Sequence, residues 1–204
     1  RVLGLRGTGS DTYSVEGLFV PDDLSATRDF DTEWREHGML YRFSTTTIYA
    51  SGFGAVGLGI ARGMLDDFVT LAAGKTPALS STPMREGAVV QSLIGVSDAR
   101  LKSARCWLVQ VLEEAQETVR ARGHLSLGER IAIRQASTFA ISEARAVVNA
   151  VWHEAGATAI FEAQPFERRF RDMNSVSQQL QGRHAHFETV GQHLLGMQPN
   201  LRSL

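Results

Sequence analysis

Six histidines are the side chains of this sequence best suited to move a proton or bind a metal near neutral pH. None of them forms an i, i+4 pair accompanied by a carboxylate, the spacing expected of a metal site on a helix. His184 and His186 lie close together, but on a helix their rings would point to different faces. The sequence therefore predicts no metal site and leaves these two histidines as candidates for proton handling.

The stretch GFGAVG at residues 52–57 matches the dinucleotide-binding pattern G-x-G-x-x-G. That pattern needs a second strand ending in an acid, whereas the residues that follow here continue a helical periodicity. Small residues instead recur at every fourth position, at Ser51, Ala55, Gly59 and Gly63. This spacing favours a helix whose small-residue stripe lets another backbone approach closely.

The stretch ERRFRDMNSVSQQLQG at residues 167–182 has the look of a functional helix, yet no acid or histidine follows Asp172 within it. Amide and hydroxyl groups dominate the later positions, and these groups cannot accept a proton at neutral pH. The clustered Arg168, Arg169 and Arg171 fit either a solvated helix face or a contact to an anion. The segment thus offers anchoring groups but no catalytic base.

The overall composition narrows the class of protein. A net charge of −1 and a pI near 6.7 give no reason to expect nucleic acid or an anionic membrane as a partner. The single cysteine, Cys106, favours a cytoplasmic location, and its apolar neighbours predict a small buried side chain. No stretch reaches the roughly 20 uninterrupted apolar residues of a membrane span. A start without methionine suggests a piece of a longer protein.

Helical patterns dominate the chain after a short β-like segment. This segment includes the strand-like TYSVEGLFVP, which ends at Pro21. Four helices are predicted after it, at about residues 39–73, 84–122 and 126–156 and from 165 onward, with Gly182 interrupting the last. The fold predicted is mainly α: an up-down four-helix bundle (residues 31–204) preceded by a β remnant and connector (residues 1–30).

Two helix ends carry specific signals. Gly123 suits the C-cap of the second helix, since glycine adopts the left-handed backbone found there. Ser126 and Glu129 have the spacing of a capping box at the start of the third helix.

Four stretches, taken in order, carry a family resemblance: GLRGTGSDTYSVEGLFVPDD, GLGIARGMLDDFVTLA, VVQSLIGVSDARLKSAR and AGATAIFEAQPFERRFRD. Together they resemble the C-terminal half of the acyl-CoA dehydrogenase superfamily, from the end of its central β domain through its C-terminal helical bundle. The tail SQQLQGRHAHFETVGQHLLG is similar to the second C-terminal subtype, which is shared with two-component flavin monooxygenases. The resemblance covers essentially the whole chain.

The resemblance implies a flavoprotein that holds FAD, or alternatively reduced FMN, between the β domain and this bundle. It makes Arg85 and Gln91, at the start of the second helix, candidates for contact with a flavin phosphate or ribose. It also implies a small-molecule substrate and a homo-oligomer, a dimer or tetramer, assembled through bundle helices. The family's Arg-Asp falls on Arg171 and Asp172, which we expect to form an ion pair that anchors the fourth helix.

Two departures from the family pattern bear on the reaction. The positions that correspond, by spacing, to the carboxylate base of the superfamily's dehydrogenases are Gln179–Gly182 or a position near Thr47. This sequence has an acid at neither place. The monooxygenase branch often carries a histidine near Gln179, where this sequence has His184 and His186 a few residues later.

Three functions remain open from the sequence. The first is a flavin-dependent oxidoreductase that oxidises an acyl-CoA-type substrate with hydride transfer to flavin. The second is a two-component reduced-flavin-dependent monooxygenase, served by a flavin reductase, in which His184 or His186 handles a proton. The third is a non-catalytic helical assembly domain, which we expect if the natural chain begins at Arg1.

Overall fold

A computed structural model describes residues 2–25, 36–201 and 204 of the chain. Within these ranges five α-helices form the fold: α1 (Thr45–Gly74), α2 (Ala88–Arg122), α3 (Leu127–Ala155), α4 (Pro165–Gln178) and α5 (Ala185–Leu194). Helices α1 to α4 make up the predicted bundle. The prediction of a mainly α fold is confirmed.

The end of α2 and the start of α3 follow the sequence signals. Gly123 ends α2 with a φ of 78°, in the left-handed region. Ser126 and Glu129 form a complete capping box at the start of α3. The residues expected to open the first and second helices instead form short 3-10 helices, at Met39–Arg42 and Met84–Glu86.

Helix α4 ends earlier than the sequence predicts. The interruption was expected at Gly182, but the helix already stops at Gln178, and a 3-10 turn, Leu180–Gly182, follows. At Gln179 the backbone is extended, and its side-chain oxygen accepts the N–H of Gln181 at 2.6 Å. This local hydrogen bond competes with helix continuation, so the chain turns before it enters α5.

The core lies mainly where α1 packs on α3. Gly54 and Gly57 make this approach possible: an added Cβ would lie 3.4 Å from the Ser137 carbonyl oxygen at Gly54, and 3.6 Å from Ala144 Cβ at Gly57. The side chains around them are fully buried and almost all apolar. They include Ala61, Met64, Leu65, Phe68, Ile133, Ala136, Ala140, Ala144, Val148 and Met173.

The predicted small-residue stripe of α1 faces elsewhere. A Cβ added at Gly59 would meet nothing within 4 Å, and Ser51 and Ala55 line an open groove against α2. At Gly63 an added Cβ would lie 2.5 Å from Arg169 Nη1, so this glycine makes room for an arginine of α4. Close approach of another chain's backbone to the stripe stays a prediction.

Helix α1 is, among the described residues, the one helix whose length and composition would also suit a membrane span. In the fold it is a bundle helix. Its central side chains Met64, Leu65 and Phe68 are fully buried against the other helices, and Arg62 and Asp66 form an ion pair on its surface. Tertiary packing therefore accounts for its apolar character.

The N-terminal segment forms no strand among the described residues, although TYSVEGLFVP was expected to be strand-like. Its large side chains, including those of Tyr13 and Phe19, are exposed. The physical reason is that an extended segment needs a neighbouring strand to pair with, and no other described segment supplies one. The expected domain border at residues 30 and 31 lies outside the described residues.

The expected Arg171–Asp172 ion pair is wrong. Arg171 Nε lies 2.7 Å from Glu167 Oε2, one turn earlier in α4, while Asp172 Oδ1 accepts the N–H of Leu5 at 2.6 Å. Adjacent residues of a helix do not face each other, so each finds a different partner. Arg171 Nη1 also donates to the Leu3 carbonyl at 2.8 Å, and the pair thus fixes the N-terminal segment onto α4.

Cys106 is exposed rather than buried, contrary to the sequence-based expectation. The neighbouring Ala104 and Leu108 are buried, and Cys106 lies two positions from each, on a different side of α2.

Candidate functional site

The region that carries the expected catalytic positions is the turn between α4 and α5, residues 179–186, called here the α4–α5 corner. Gln181, Gly182 and His186 are buried in it, which is unusual for amide and imidazole side chains. A Cβ added at Gly182 would lie 2.9 Å from the Ser177 carbonyl oxygen, so the turn packs directly against the end of α4. Buried polar groups at this density require hydrogen-bond partners.

Arg134 of α3 supplies the central contact of the corner. Its side chain is fully buried, and Nη1 donates to Gln181 Oε1 at 2.5 Å. Burial lowers the pKa of the Arg134 guanidinium to about 10, because the charged form is less well solvated there. The group nevertheless stays a cation at neutral pH, so a fixed positive charge and its donors lie inside the bundle.

Arg134 also lies between the two places at which the family resemblance would put a catalytic acid. Its Nη2 lies 3.5 Å from the Thr46 carbonyl oxygen at the start of α1, beside Thr47. Thr47 is buried, and its hydroxyl donates to the Ser44 carbonyl at 2.8 Å. Thr47 therefore offers a hydroxyl and Gln181 an amide at these two positions, and neither side chain can remove a proton near neutral pH.

His186 closes the corner from the α5 side. Its Nε2 lies 2.7 Å from the Leu180 carbonyl oxygen, and since a carbonyl can only accept, Nε2 carries the proton. Burial lowers the pKa of His186, helped by the positive charges of Arg134 and Arg183, while the hydrogen bond to Leu180 acts in the opposite direction. At neutral pH His186 is therefore a neutral ring whose Nε2–H holds the backbone turn.

His184 has a different environment from His186, in line with the expectation that the two rings point to different faces of the helix. It is exposed at the start of α5, and its ring meets Phe187 edge-on with centroids 5.6 Å apart. The proton-handling role foreseen for His184 and His186 stays a prediction. No cluster of three or more potential metal ligands occurs in the part of the chain that the structure describes.

Arg85 and Gln91 lie together at the start of α2. Gln91 Nε2 donates to the Arg85 carbonyl oxygen at 2.9 Å, and both side chains are exposed. Over the described ranges, no acidic side chain lies within ion-pair distance of the Arg85 guanidinium. The structure thus keeps these two residues available at the surface, apart from the hydrogen bonds of the α4–α5 corner.

The arginine cluster of α4 is largely used inside the chain. Arg169 Nη1 lies 2.7 Å from Asp67 Oδ2 on α1, and Arg171 is held by Glu167, while Arg168 is exposed. The sequence left two interpretations of this cluster open, a solvated helix face and a contact to an anion. Neither describes Arg169 and Arg171, which bind groups of the chain itself. Two of the three arginines tie α4 to its surroundings.

Sequence reasoning missed Arg134. A detectable signal exists, because Ile131, Thr138 and Ile141 are buried at helical spacing around it and place the arginine on the same inward face. A charged residue on such a face marks a buried polar site. Its partner Gln181 is 47 residues away, so only the tertiary structure identifies the pair.

A second feature is the groove between α1 and α2, called here the α1–α2 groove. It has a volume of about 580 Å³ and a mainly apolar lining with three basic residues on it. The lining residues are Ser51, Gly52, Ala55, Leu58, Gly59, Arg62, Leu101, Lys102, Arg105, Leu108, Val109 and Leu112.

Comparison with known proteins gives a family for this arrangement. The model of the family described as "Acyl-CoA dehydrogenase, C-terminal domain" matches residues 51–186, two-thirds of the chain. The match runs from the start of the α1–α2 groove to His186 and so includes Arg134 and the α4–α5 corner.

Individual relatives are oxygenases by name. The chain is 26% identical over 197 residues to the indole-3-acetate monooxygenase of Pseudomonas putida, covering 97% of this chain and 50% of that protein. It is 26% identical over 219 residues to the FADH(2)-dependent resorcinol hydroxylase, oxygenase component, of Rhizobium sp., covering 97% and 52%. The chain therefore spans about half the length of these curated relatives.

A solved structure shares the fold over the whole chain. The 3-HSA hydroxylase of Rhodococcus sp. RHA1 superposes with a TM-score of 0.88 at 21% identity, covering 100% of this chain and 54% of that one.

Proposed function

Because this chain belongs to the acyl-CoA dehydrogenase C-terminal domain family, we propose that it is the helical-bundle portion of the oxygenase component of a two-component, reduced-flavin-dependent monooxygenase. The observation that carries the proposal is the α4–α5 corner. Neither position at which the resemblance would put a dehydrogenase's catalytic carboxylate holds an acid. Gln181 accepts a hydrogen bond from buried Arg134, and Thr47, next to the Thr46 carbonyl that Arg134 also contacts, donates its hydroxyl to the Ser44 carbonyl. The named relatives, which are oxygenases, support the same choice.

The absent base weighs against acyl-CoA oxidation because that reaction begins with removal of a proton from carbon. Such a step needs a group that can accept a proton near neutral pH. Thr47 carries a hydroxyl and Gln181 an amide, and neither group accepts a proton near neutral pH. Hydroxylation of an activated small molecule does not require this proton transfer at the start, so the corner suits it better.

The residues present fit a reduced flavin at the start of α2. The exposed Arg85 guanidinium has five donors for a phosphate, and the side-chain oxygen of Gln91 remains available to a ribose hydroxyl. We propose FADH2 as the cofactor, with reduced FMN as the alternative. When bound, the reduced flavin supplies the electrons that activate oxygen.

In this proposal the α4–α5 corner forms a rigid wall of the active site that excludes water. Arg134, Gln181 and His186 are buried and hydrogen-bonded, so they exclude water without needing it as a partner. Arg134 keeps its positive charge at this place, and the neutral His186 donates its Nε2–H to the Leu180 carbonyl oxygen. A site beside this wall would be shielded from bulk water, as oxygen chemistry on a flavin requires.

Further parts of the proposal follow from the two-component reading. A separate flavin reductase delivers the reduced cofactor, and the substrate is a small molecule. The protein acts in the cytoplasm as a homo-oligomer, a dimer or tetramer, through its bundle helices.

Turnover by the natural full-length protein tests this function. We expect product formation from an aromatic substrate panel only when reduced FAD or reduced FMN and oxygen are both supplied, for example by a NADH-dependent flavin reductase. Bleaching of tightly bound FAD by acyl-CoA in the absence of oxygen would support the dehydrogenase reading and contradict the proposal. A protein that neither binds flavin nor reacts in either assay would favour the non-catalytic assembly domain.

The flavin contact has its own test. Arg85→Ala removes the cation at the start of α2, and we expect the dissociation constant for reduced flavin to rise by about tenfold, corresponding to one charge-assisted contact. Arg145→Ala, at an exposed position of α3, is the matched control and should leave flavin affinity unchanged. Anaerobic fluorescence titration measures both, and equal affinities in the two variants would remove Arg85 from the cofactor site.

A further inference from the structure

Lys75 lies where the connection between α1 and α2 meets the end of α3. It is one of only two lysines among the 21 lysines and arginines of the chain. Its ammonium Nζ donates to the Ala155 carbonyl oxygen and to Thr158 Oγ1, each at 2.8 Å. Within the described ranges, no carboxylate forms an ion pair with this nitrogen. The ammonium of Lys75 therefore binds polar groups of the fold rather than an acid.

The contact suits the end of a helix. Ala155 is the last residue of α3, and the carbonyl groups in the last turn of an α-helix have no partner within that helix. A cation there is favoured by the partial negative charge of the helix C-terminus. A lysine ammonium is compact, and it lies close to the turn, because a Cβ added at Gly156 would be 4.0 Å from Nζ. Lys75 thus joins the start of the α1–α2 connection to the turn that follows α3.

The main chain of Lys75 holds the other end of the same connection. Its carbonyl oxygen accepts the N–H of Met84 at 2.9 Å. The residues between them are mostly exposed, and Leu79 at the apex is fully exposed in a left-handed backbone, with a φ of 64°. The hydrogen bond from the Ser80 N–H to the Pro77 carbonyl, at 3.1 Å, stays within the connection. The connection therefore has little packing of its own to fix where it ends.

Arg85 follows Met84 directly, so its backbone starts from this junction. Met84 is buried in the core, and its N–H is bound by the Lys75 carbonyl. On the other side, Gln91 Nε2 donates to the Arg85 carbonyl oxygen at 2.9 Å. The exposed Arg85 side chain therefore extends from a backbone that is held on both sides, by Lys75 through Met84 and by Gln91.

We propose that Lys75 is a positioning residue for the flavin contact of Arg85. By joining the end of α3 to Met84, it sets the Arg85 backbone in advance, so the guanidinium can bind a phosphate without first ordering its segment. Lys75 itself touches no cofactor in this role. The role rests on the proposed function, in which Arg85 binds the flavin phosphate, and it names the residue through which the bundle fixes that contact.

A double-mutant cycle in the natural full-length protein tests this role, with anaerobic fluorescence titration as the measurement. Lys75→Met keeps the side-chain stem but removes the donors, and we expect the dissociation constant for reduced FAD to rise about fivefold. In an Arg85→Ala background the same substitution should change that constant by less than about 1.5-fold, because the residue through which Lys75 acts is gone. Lys102→Met, at an exposed side chain of α2, is the matched control and should leave the affinity unchanged.

Thr158→Val is a milder second variant, because it keeps the side-chain shape and removes one of the two acceptors of the Lys75 ammonium. We expect it to raise the dissociation constant about twofold when Arg85 is present and to have no effect in the Arg85→Ala background. It carries the same test if Lys75→Met does not fold.

Hydrogen exchange of the flavin-free protein gives a measurement that needs no cofactor. We expect the Met84 amide to exchange roughly threefold faster in Lys75→Met than in the natural protein, and at an unchanged rate in Lys102→Met. An unchanged rate in Lys75→Met would show that Lys75 does not hold this junction and would overturn the proposal.

The titration separates this role from the proposed function. If the natural protein binds reduced FAD, and Lys75→Met either leaves the affinity unchanged or weakens it equally with and without Arg85, the role of Lys75 alone is overturned. Equal weakening in both backgrounds is what a merely structural loss would produce. A natural protein that binds no reduced flavin would overturn the proposed function, and the role of Lys75 with it.

Discussion

The α1–α3 core and the α4–α5 corner are buried to a similar degree but built from opposite chemistry. In the core, Phe68 and Ala140 are fully buried among other apolar groups. At the corner, the buried positions are held by Arg134, Gln181 and His186, each tied to a specific partner. Apolar burial is favourable in itself, whereas polar burial is tolerated only when hydrogen bonds replace water.

The difference teaches where to look for function in this bundle. Any set of apolar side chains of the right volume could stabilise the core, so its residues say little about the reaction. The corner could have been filled in the same way, yet the chain keeps a buried cation there at the cost of desolvating it. A buried polar cluster at the place where the family resemblance would put a catalytic base is therefore the informative feature.

Phe68→Ala should have the largest effect and would show that the core carries most of the stability. Removing a fully buried ring leaves a cavity, and we expect a loss of about 3–5 kcal/mol in the free energy of unfolding. The neighbouring Val69, 44% exposed, is the matched control, and Val69→Ala should cost about 0.5 kcal/mol or less. Urea unfolding followed by circular dichroism measures both. Similar losses at the two positions would contradict the packing described for α1.

Gln181→Leu tests whether the corner depends on its hydrogen bonds. The substitution keeps a side chain of similar size but removes one acceptor of the Arg134 guanidinium, so we expect a loss of about 1.5–3 kcal/mol. Gln178→Leu, exposed at the last turn of α4, should change stability by no more than about 0.5 kcal/mol. If both variants unfolded at the same urea concentration, the Arg134–Gln181 bond would be unimportant and the corner would resemble the core.

Gly182→Ala tests how tightly the corner turn packs. The added Cβ would lie 2.9 Å from the Ser177 carbonyl oxygen, a backbone atom that cannot easily move. We expect overpacking to cost about 1–3 kcal/mol. Gly191→Ala in α5, where an added Cβ meets nothing within 4 Å, should instead raise stability by up to about 1 kcal/mol. Thermal unfolding decides, and stabilisation by both alanines would show that the turn has free space.

His186 should produce the smallest effect, as a pH dependence. Burial holds its folded pKa below the ordinary value, so the unfolded chain takes up the proton at a higher pH than the folded one. The contribution of His186 to stability is therefore complete above its unfolded pKa of about 6.5 and is lost as the pH falls through the lower folded pKa.

The matched pair for this effect is His186→Gln and His184→Gln. A glutamine amide at 186 can still donate to the Leu180 carbonyl but does not titrate, so the fall in unfolding free energy from pH 7 to pH 5 should become shallower. The exposed His184→Gln should leave that slope unchanged. A slope that is the same in all three proteins would mean that His186 titrates alike in the folded and unfolded chains.

Much of the fold was predictable because it depends on neighbours in sequence. Gly123, Ser126 and Glu129 act within one turn of a helix, so they fixed the ends of α2 and α3 correctly. The end of α4 was misplaced, because the Gln179–Gln181 turn that stops the helix has no common sequence signature. Cys106 was assigned to the wrong side of α2, since apolar neighbours one and two positions away do not share its face.

By itself the sequence determined the helices, their caps, the family resemblance and the absence of an acid at Thr47 and at residues 179–182. The tertiary structure alone decided that Arg134 bridges those two places, that Asp172 holds Leu5 rather than Arg171, and that the small-residue stripe borders a groove. The physical reason is separation along the chain. Helix formation is governed by contacts within four residues, whereas Arg134 and Gln181 are 47 residues apart, and Leu5 and Asp172 are 167 apart.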